Sequence, residues 1–455
     1  MIHPNVKEPN SAPKVFSAGS GNPVAESEIL KSIEVAYENS PFPELPQTIT
    51  QCDARDVFKV QMNADDEFVK TFKKCFGAGR NIVIGEVADG FAEDADAGRL
   101  AEMLPYIKLL IIGKGETERV AGRSIATIGD AESSANFFIE SGAKGVLIKN
   151  AGSSPKYCED LYCGGGKSFI IASNRISDAS QTGKSNALSA VIAGGLSSGL
   201  GMADSLVMAR AVSQSRIRLG GSFSRSSTFP VEPADFPWIS DSFQTEPELH
   251  HFPGLGNDRP ELYPIVDSYE WIKRLLPLGI KTIQLRIKNL KGDELESEIQ
   301  KSVALAWEKG VRLFINDFWE LAIKHRAYGV HLGMEDLTSA DMNEIWNAGT
   351  RLGLSTHCYF EAAIAHRHRP SYIALGPVYF TKLKSMDFPP QGTEVLKLWR
   401  KLFDYPLVAI GGITLDKAGE ILPCKPDLIS VVRDVTQSED PEERVEEWKR
   451  AINRS

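Results

Sequence analysis

From Glu261 to Ser455 the chain repeats one pattern eight times, a short β-branched run followed by a stretch with apolar residues at three-to-four spacing. Runs of period two feeding helical stretches predict parallel strands with covering helices, and eight such units are what closes a (β/α)8 barrel. The predicted strands are Leu262–Asp267, Thr282–Lys288, Arg312–Asp317, Gly329–Met334, Arg351–His357, Tyr372–Val378, Leu407–Gly412 and Leu428–Asp434. Helices are expected over Asp293–Lys309, Ala340–Ala348, Glu394–Leu402 and Pro441–Asn453, among others. The fold class is therefore α/β.

In a barrel of this kind the chemistry gathers where strands pass into the loops before helices. Strand two ends Gln284-Leu-Arg286-Ile-Lys288, and period two sets the three polar residues on one face and Ile283, Leu285 and Ile287 on the other. Helices cover the outside of a barrel strand, so the apolar face belongs there; an outward, solvated polar face is the alternative. Two inward cations require an anion. Strand three ends Asn316-Asp317 and strand four leads into Asp336, and two carboxylates opposite a cationic strand suit a hard divalent ion bridging to phosphate oxygens. Asp317 alone would also suit the cap of a helix starting at Phe318. Ser355, Thr381 and Lys384 add hydroxyls and a further cation, and Gly411-Gly412 ends strand seven where backbone N–H groups can meet an anion.

The remaining 260 residues of the 455 are too many for a tail, so a second domain is expected. Proline and aromatics replace serine between Gly220 and Arg259, which predicts domains over 1–219 and 261–455 joined by a connector, 220–260, that packs on one of them. No run reaches the length of a membrane helix, the first residues lack a signal-peptide pattern, and the cytoplasm is the expected compartment. A net charge of -9 argues against a nucleic-acid partner but leaves room for a local anion site. The six cysteines match no common zinc or redox spacing.

The barrel's motifs resemble one family in order along the whole domain. Leu262-Tyr-Pro-Ile-Val-Asp-Ser, Gln284-Leu-Arg-Ile-Lys, Leu313-Phe-Ile-Asn-Asp, Gly329-Val-His-Leu-Gly, Leu354-Ser-Thr-His, Pro370-Ser-Tyr-Ile-Ala-Leu-Gly-Pro and Val408-Ala-Ile-Gly-Gly-Ile are similar to thiamine-phosphate synthases. The resemblance implies that hydroxymethylpyrimidine diphosphate is joined to thiazole phosphate by a dissociative route with Mg²⁺. It assigns Gln284, Arg286, Lys288, Asn316, Ser355 and Lys384 to the pyrimidine diphosphate, and Asp317 and Asp336 to Mg²⁺. Thr381, Gly411, Gly412, Val432 and Arg433 would meet the thiazole phosphate. Charge neutralisation dominates such chemistry, so His331 and His357 are expected to be structural. The thiazole-phosphate side departs from the family pattern: Leu383 replaces a hydroxyl, Met334 a glutamine, and Val432-Arg433-Asp434 a small-residue phosphate cup in which Asp434 would oppose the anion.

Strand-like runs in the N-terminal half lie at Asn81–Ile84, Ile107–Ile112, Gly145–Ile148 and Phe169–Ser173. Neither Gly183-Lys184-Ser185 nor Gly166-Lys167-Ser168 makes a P-loop, because Asp178 and Leu161 stand where the leading glycine is needed. The stretch from Pro105 onward resembles the hydroxymethylpyrimidine-phosphate kinases of the ribokinase-like fold. Against that family Asn186 stands at the catalytic cysteine position, Gly19-Ser20-Gly21-Asn22 lacks the aspartate, Glu116 is the nearest nucleotide-side carboxylate, and Lys149-Asn150-Ala151 replaces Lys-Gly-Gly. The expectation is a degenerate kinase domain, left with pyrimidine binding, regulation or homodimerisation. A non-catalytic sensor of thiamine precursors and a working bifunctional kinase and synthase are the alternatives.

Overall fold

The computed structural model describes residues 15–18, 33–35, 57–62, 66–76, 82–87, 94–176, 184–197, 200–219, 231–243, 251–256, 260–381 and 390–454. The chain divides into two compact units, Met1–Pro247 and Glu248–Ser455.

The first unit is built on β1 Val15–Ala18, β2 Ile33–Val35, β3 Val57–Met62, β4 Ile82–Val87, β5 Leu109–Gly113, β6 Gly145–Lys149, β7 Tyr157–Gly164, β8 Lys167–Asn174 and β9 Trp238–Ser240. They form one sheet in the order β2-β1-β3-β4-β5-β6-β7-β8-β9. β1, β3, β4, β5 and β6 run parallel, whereas β6 to β9 pair antiparallel. Val83, Leu110, Ile112, Val146 and Ile148 pack with Phe72, Met103 and Phe138 from the helices in its core. The four predicted runs appear as β4, β5, β6 and β8. β7 escapes sequence patterning because Glu159 and Asp160 interrupt it, yet both are buried, and Asp160 is paired with Arg210 at 3.2 Å. Gly165 and Gly166, both at positive φ, make the two-residue turn joining β7 to β8. Part of the expected connector behaves differently from a linker: Trp238–Ser240 pairs with β8 as the edge strand β9.

The second unit is a closed barrel of eight parallel strands, β10 Glu261–Val266, β11 Thr282–Leu285, β12 Arg312–Asn316, β13 Gly329–Leu332, β14 Arg351–Thr356, β15 Tyr372–Leu375, β16 Leu407–Ile410 and β17 Leu428–Val431. Each predicted strand is present, with its C-terminal residues released into the loops that carry the site. β10 pairs with β17 to close the ring. Along every strand the outward residues, such as Ile283, Leu313 and Val330, are buried beneath helices. The inward residues Tyr263, Phe314, Tyr372, Ala374, Val408 and Leu428 fill the centre. Two inward positions must be glycine, because a methyl group at Gly329 would collide with the Phe314 ring and one at Gly353 with the Tyr372 ring. Below them, Arg312 pairs with Glu261 and donates through Nε to Thr282 Oγ1 at 2.9 Å. His251–Gly256, expected as connector, closes this end. Leu255 packs into the barrel core, Leu255 O accepts from Tyr328 Oη at 3.0 Å, and Gly254 O accepts from Arg351 at 3.2 Å.

Candidate active site

Lys288, Asp317 and Asp336 meet at the C-terminal ends of β11 to β13. Lys288 Nζ donates to Asp317 Oδ2 at 2.5 Å. Asp336 is close enough to feel the charge of Asp317, and its Oδ2 accepts from Gly333 N at 3.0 Å. Burial first, then the charge of Asp317, raises the Asp336 carboxyl above its ordinary range. Asp317 does not cap the following helix: Trp319–Lys324 has no side-chain cap. It instead adopts φ +66°, a left-handed conformation that turns its carboxylate toward Lys288 and Asp336. Arg286, whose N–H donates to Val266 O at 2.7 Å, is half-buried and makes no ion pair among the described residues. Asn316 is buried at the last position of β12, opposite His331 in register.

Gln284 and Ser355 are the ends of one hydrogen-bonded chain through the barrel. Gln284 Nε2 donates to Tyr263 Oη at 3.1 Å, Tyr263 Oη lies 2.9 Å from Tyr372 Oη, Tyr372 Oη 2.7 Å from His331 Nδ1, and His331 Nε2 2.8 Å from Ser355 Oγ. Burial holds the His331 ring neutral, with its pKa lowered to about 4, and the same burial raises both tyrosine hydroxyls above their ordinary value. His331 was expected to be merely structural, and it touches a candidate site residue directly. His357 is bonded through Nδ1 to Glu361 at 2.7 Å.

The opposite wall is formed after β15, β16 and β17. Gly411 and Gly412 have φ +97° and +65°, and side chains there would collide with Pro377 and with the carbonyls of Tyr379 and Phe380. Thr381 is half-buried beside Phe380, which is 71 % exposed. Lys384 and Leu383 lie outside the described residues. Val432 starts the short helix Arg433–Thr436, and Arg433 is exposed without an ion pair among the described residues. Asp434 does not oppose an anion here. Its carboxylate accepts from Arg444 Nη1 at 2.7 Å and Trp448 Nε1 at 2.6 Å, which turns it onto helix Pro441–Asn453.

The thiamine-phosphate synthase of Citrobacter koseri is 52 % identical over 180 residues, 39 % of this chain and 85 % of its own length. The chain belongs to the thiamine-phosphate synthase family. The Escherichia coli K12 thiamine-phosphate synthase is 51 % identical over 183 residues, with 40 % of this chain and 87 % of its own length covered. The family described as thiamine monophosphate synthase matches residues 262–435, and that described as phosphomethylpyrimidine kinase matches residues 81–231. Among solved structures, thiamine phosphate pyrophosphorylase from Pyrococcus furiosus aligns at 29 % identity and TM-score 0.39, over 43 % of this chain and 96 % of its own. Pyridoxal kinase from Staphylococcus aureus aligns at 17 % identity and TM-score 0.34, over 41 % and 72 %. The chain is thus an enzyme of thiamine biosynthesis, a transferase, with a kinase-family domain ahead of its synthase barrel.

In that N-terminal domain the charged centre is a residue that sequence reasoning missed. Glu86, buried near the end of β4, lies 3.4 Å from Lys149 and 4.0 Å from Lys59 and accepts from Ser189 Oγ at 2.5 Å. A carboxylate inside the apolar run Ile82–Val87 was the available signal. Glu116, the carboxylate expected there, pairs with Arg119 at 2.6 Å. Asn186 falls in the first turn of helix Lys184–Ser197, while Gly19 to Asn22, Thr182 and Gly183 lie outside the described residues.

Proposed function

We propose that the synthase barrel joins hydroxymethylpyrimidine diphosphate to thiazole phosphate through a dissociative step at the ends of β10 to β17. The observation that carries this reading is Arg286, a half-buried cation with no carboxylate partner among the described residues, two positions before Lys288, which is bonded to Asp317. A desolvated cation left open in this way favours an anionic ligand. The C–O bond between the pyrimidine methylene and diphosphate breaks with its electron pair leaving on diphosphate, and the thiazole nitrogen lone pair then forms the new C–N bond. Arg286, Lys288 and Ser355 take up charge on the leaving group, with Asn316 and Lys384 completing its cradle. Donors of this type are each worth about 10²- to 10³-fold in rate.

The donor set fits Mg²⁺: two adjoining carboxylates suit an ion that keeps its other positions for water and phosphate oxygens. Asp317 and Asp336 would hold it, and when bound it neutralises diphosphate oxygens. Thr381, the Gly411-Gly412 backbone, Val432 and Arg433 would receive the thiazole phosphate, a role that the withdrawal of Asp434 onto Arg444 and Trp448 supports. Release of diphosphate by the full chain, given both phosphorylated substrates and Mg²⁺, tests the reading; no release overturns it.

For the N-terminal domain we infer a loss of kinase activity. Glu86 already carries two lysines and a serine hydroxyl, which leaves little negative charge to hold a nucleotide-bound cation. Hydroxymethylpyrimidine and MgATP should therefore yield no ADP, and steady ADP formation would restore the bifunctional reading.

A further inference from the structure

Five side chains, Gln284, Tyr263, Tyr372, His331 and Ser355, form an unbroken series of bonds of 2.7 to 3.1 Å across the barrel interior. Its two ends are the residues assigned to the substrate. Its middle is sealed: Tyr263 is 1 % exposed, Tyr372 0 % and His331 5 %. Each tyrosine has one proton to give. His331 has a hydroxyl at each ring nitrogen and a carboxylate at neither, so its neutral ring carries one N–H.

Only two arrangements of these protons make all four bonds and leave neither tyrosine proton without an acceptor in the series. In the first, Gln284 N–H donates to Tyr263, Tyr263 to Tyr372, Tyr372 to His331 Nδ1 and His331 Nε2–H to Ser355, whose own proton then points out of the chain. In the second every bond is reversed, Ser355 donates inward, and the Gln284 amide must turn over. A mixture either loses a bond or makes one tyrosine oxygen accept from both neighbours, which leaves that tyrosine's own proton without an acceptor in a place water does not reach.

We propose that this series is a polarity lock that couples the two substrate-facing ends of the site and thereby selects the pyrimidine. An anionic oxygen at Ser355 draws the hydroxyl proton outward and selects the first arrangement. Gln284 then has its N–H committed inward and its carbonyl oxygen turned to the ligand, where it accepts from an amino group and repels an oxo group. Tyr263, Tyr372 and His331 are positioning residues that act through Gln284 and Ser355. The inference rests on the proposed assignment of those two end residues to the pyrimidine diphosphate.

The test is calorimetric binding of hydroxymethylpyrimidine diphosphate with Mg²⁺ to the full chain, using Gln284→Ala, Ser355→Ala and the double variant, each with and without Tyr372→Phe. With Tyr372 present each single change should weaken binding about tenfold, and the double should lose at least about threefold less than the product of the two. Tyr372→Phe removes one hydroxyl from the middle of the series, so in that background the two losses should multiply. Unchanged coupling in Tyr372→Phe would overturn the lock and leave the tyrosine a packing role. Single variants that bind like the wild type would instead overturn the assignment of Gln284 and Ser355. Tyr263→Phe cuts the series one bond earlier and serves if Tyr372→Phe does not fold. A second readout is the preference for the amino- over the oxo-pyrimidine diphosphate, expected at about tenfold or more in the wild type. It should narrow in either Phe variant; a preference that stays constant contradicts the lock.

Discussion

Asp434 accepts a hydrogen bond from the indole of Trp448 at 2.6 Å, and this contact decides which charge stands at the end of β17. With Arg444 on its other oxygen at 2.7 Å, the carboxylate belongs to the packing of the last helix, and the neighbouring Arg433 is exposed without an ion pair among the described residues. Asp434→Ala should therefore cost about 1–3 kcal/mol of stability, measured by urea unfolding, while leaving the KM for thiazole phosphate within about twofold. Arg433→Ala should show the reverse pattern. A large KM change in the Asp434 variant would contradict this assignment.

Arg286→Met should lower kcat/KM for the pyrimidine diphosphate by about 10²-fold or more, because it deletes the cation the desolvated anion would meet. Stability should hold or rise, since the wild-type side chain is a half-buried charge with no ion-pair partner among the described residues. Steady-state kinetics alongside thermal melts separates the two effects.

Removal of divalent ions with a chelator should abolish diphosphate release, and Mg²⁺ should restore it. Asp317→Ala should lose the restoration at millimolar Mg²⁺. Full activity of the chelated enzyme would remove Asp317 and Asp336 from the role given to them.

The interior of the barrel leaves no room at Gly353, where a methyl group would run into the Tyr372 ring. Gly353→Ala should destabilise the fold by about 1–3 kcal/mol. Leu255→Ala, which empties a fully buried site at the closed end, should cost about 2–5 kcal/mol. Unfolding midpoints unchanged from the wild type would contradict both expectations.

His331 makes the stability depend on pH. Its folded pKa of about 4 lies below the ordinary 6.5 because burial disfavours the charged ring. Between those values the unfolded chain binds a proton that the folded chain refuses, so stability is complete above about pH 6.5 and falls as pH drops toward 4. The contribution at stake is on the order of 3 kcal/mol. Urea titrations of the wild type at pH 7 and pH 5, set against His331→Gln, isolate it; equal pH dependence in the two proteins would assign the loss elsewhere.

How much of this was legible in sequence follows from what each signal depends on. The barrel was readable because period-two runs and helical stretches alternate without interruption, and the order of polar and charged residues at strand ends marked Gln284, Arg286, Lys288, Asp317 and Asp336. The partners of those residues were not readable. His331 and Tyr372 lie 41 positions apart, and no local spacing reports that closure of a barrel brings them together. Asp434 looked hostile to a phosphate because sequence shows a charge and not its direction. β7 was hidden by Glu159 and Asp160, of which Asp160 is paired with Arg210 reaching β7 from a distant helix. Trp238–Ser240 was hidden by the proline-rich company it keeps, although edge strands tolerate such neighbours.

The segment His251–Gly256, which shuts the lower end of the barrel, has a consequence for inheritance. A barrel copied or fused with its first residue at Glu261 would arrive without its floor: Leu255 would no longer fill the core, and Arg351 and Tyr328 would lose the carbonyls they bind. The portable unit therefore begins upstream of its first strand, and a fusion that keeps the barrel intact carries those residues with it.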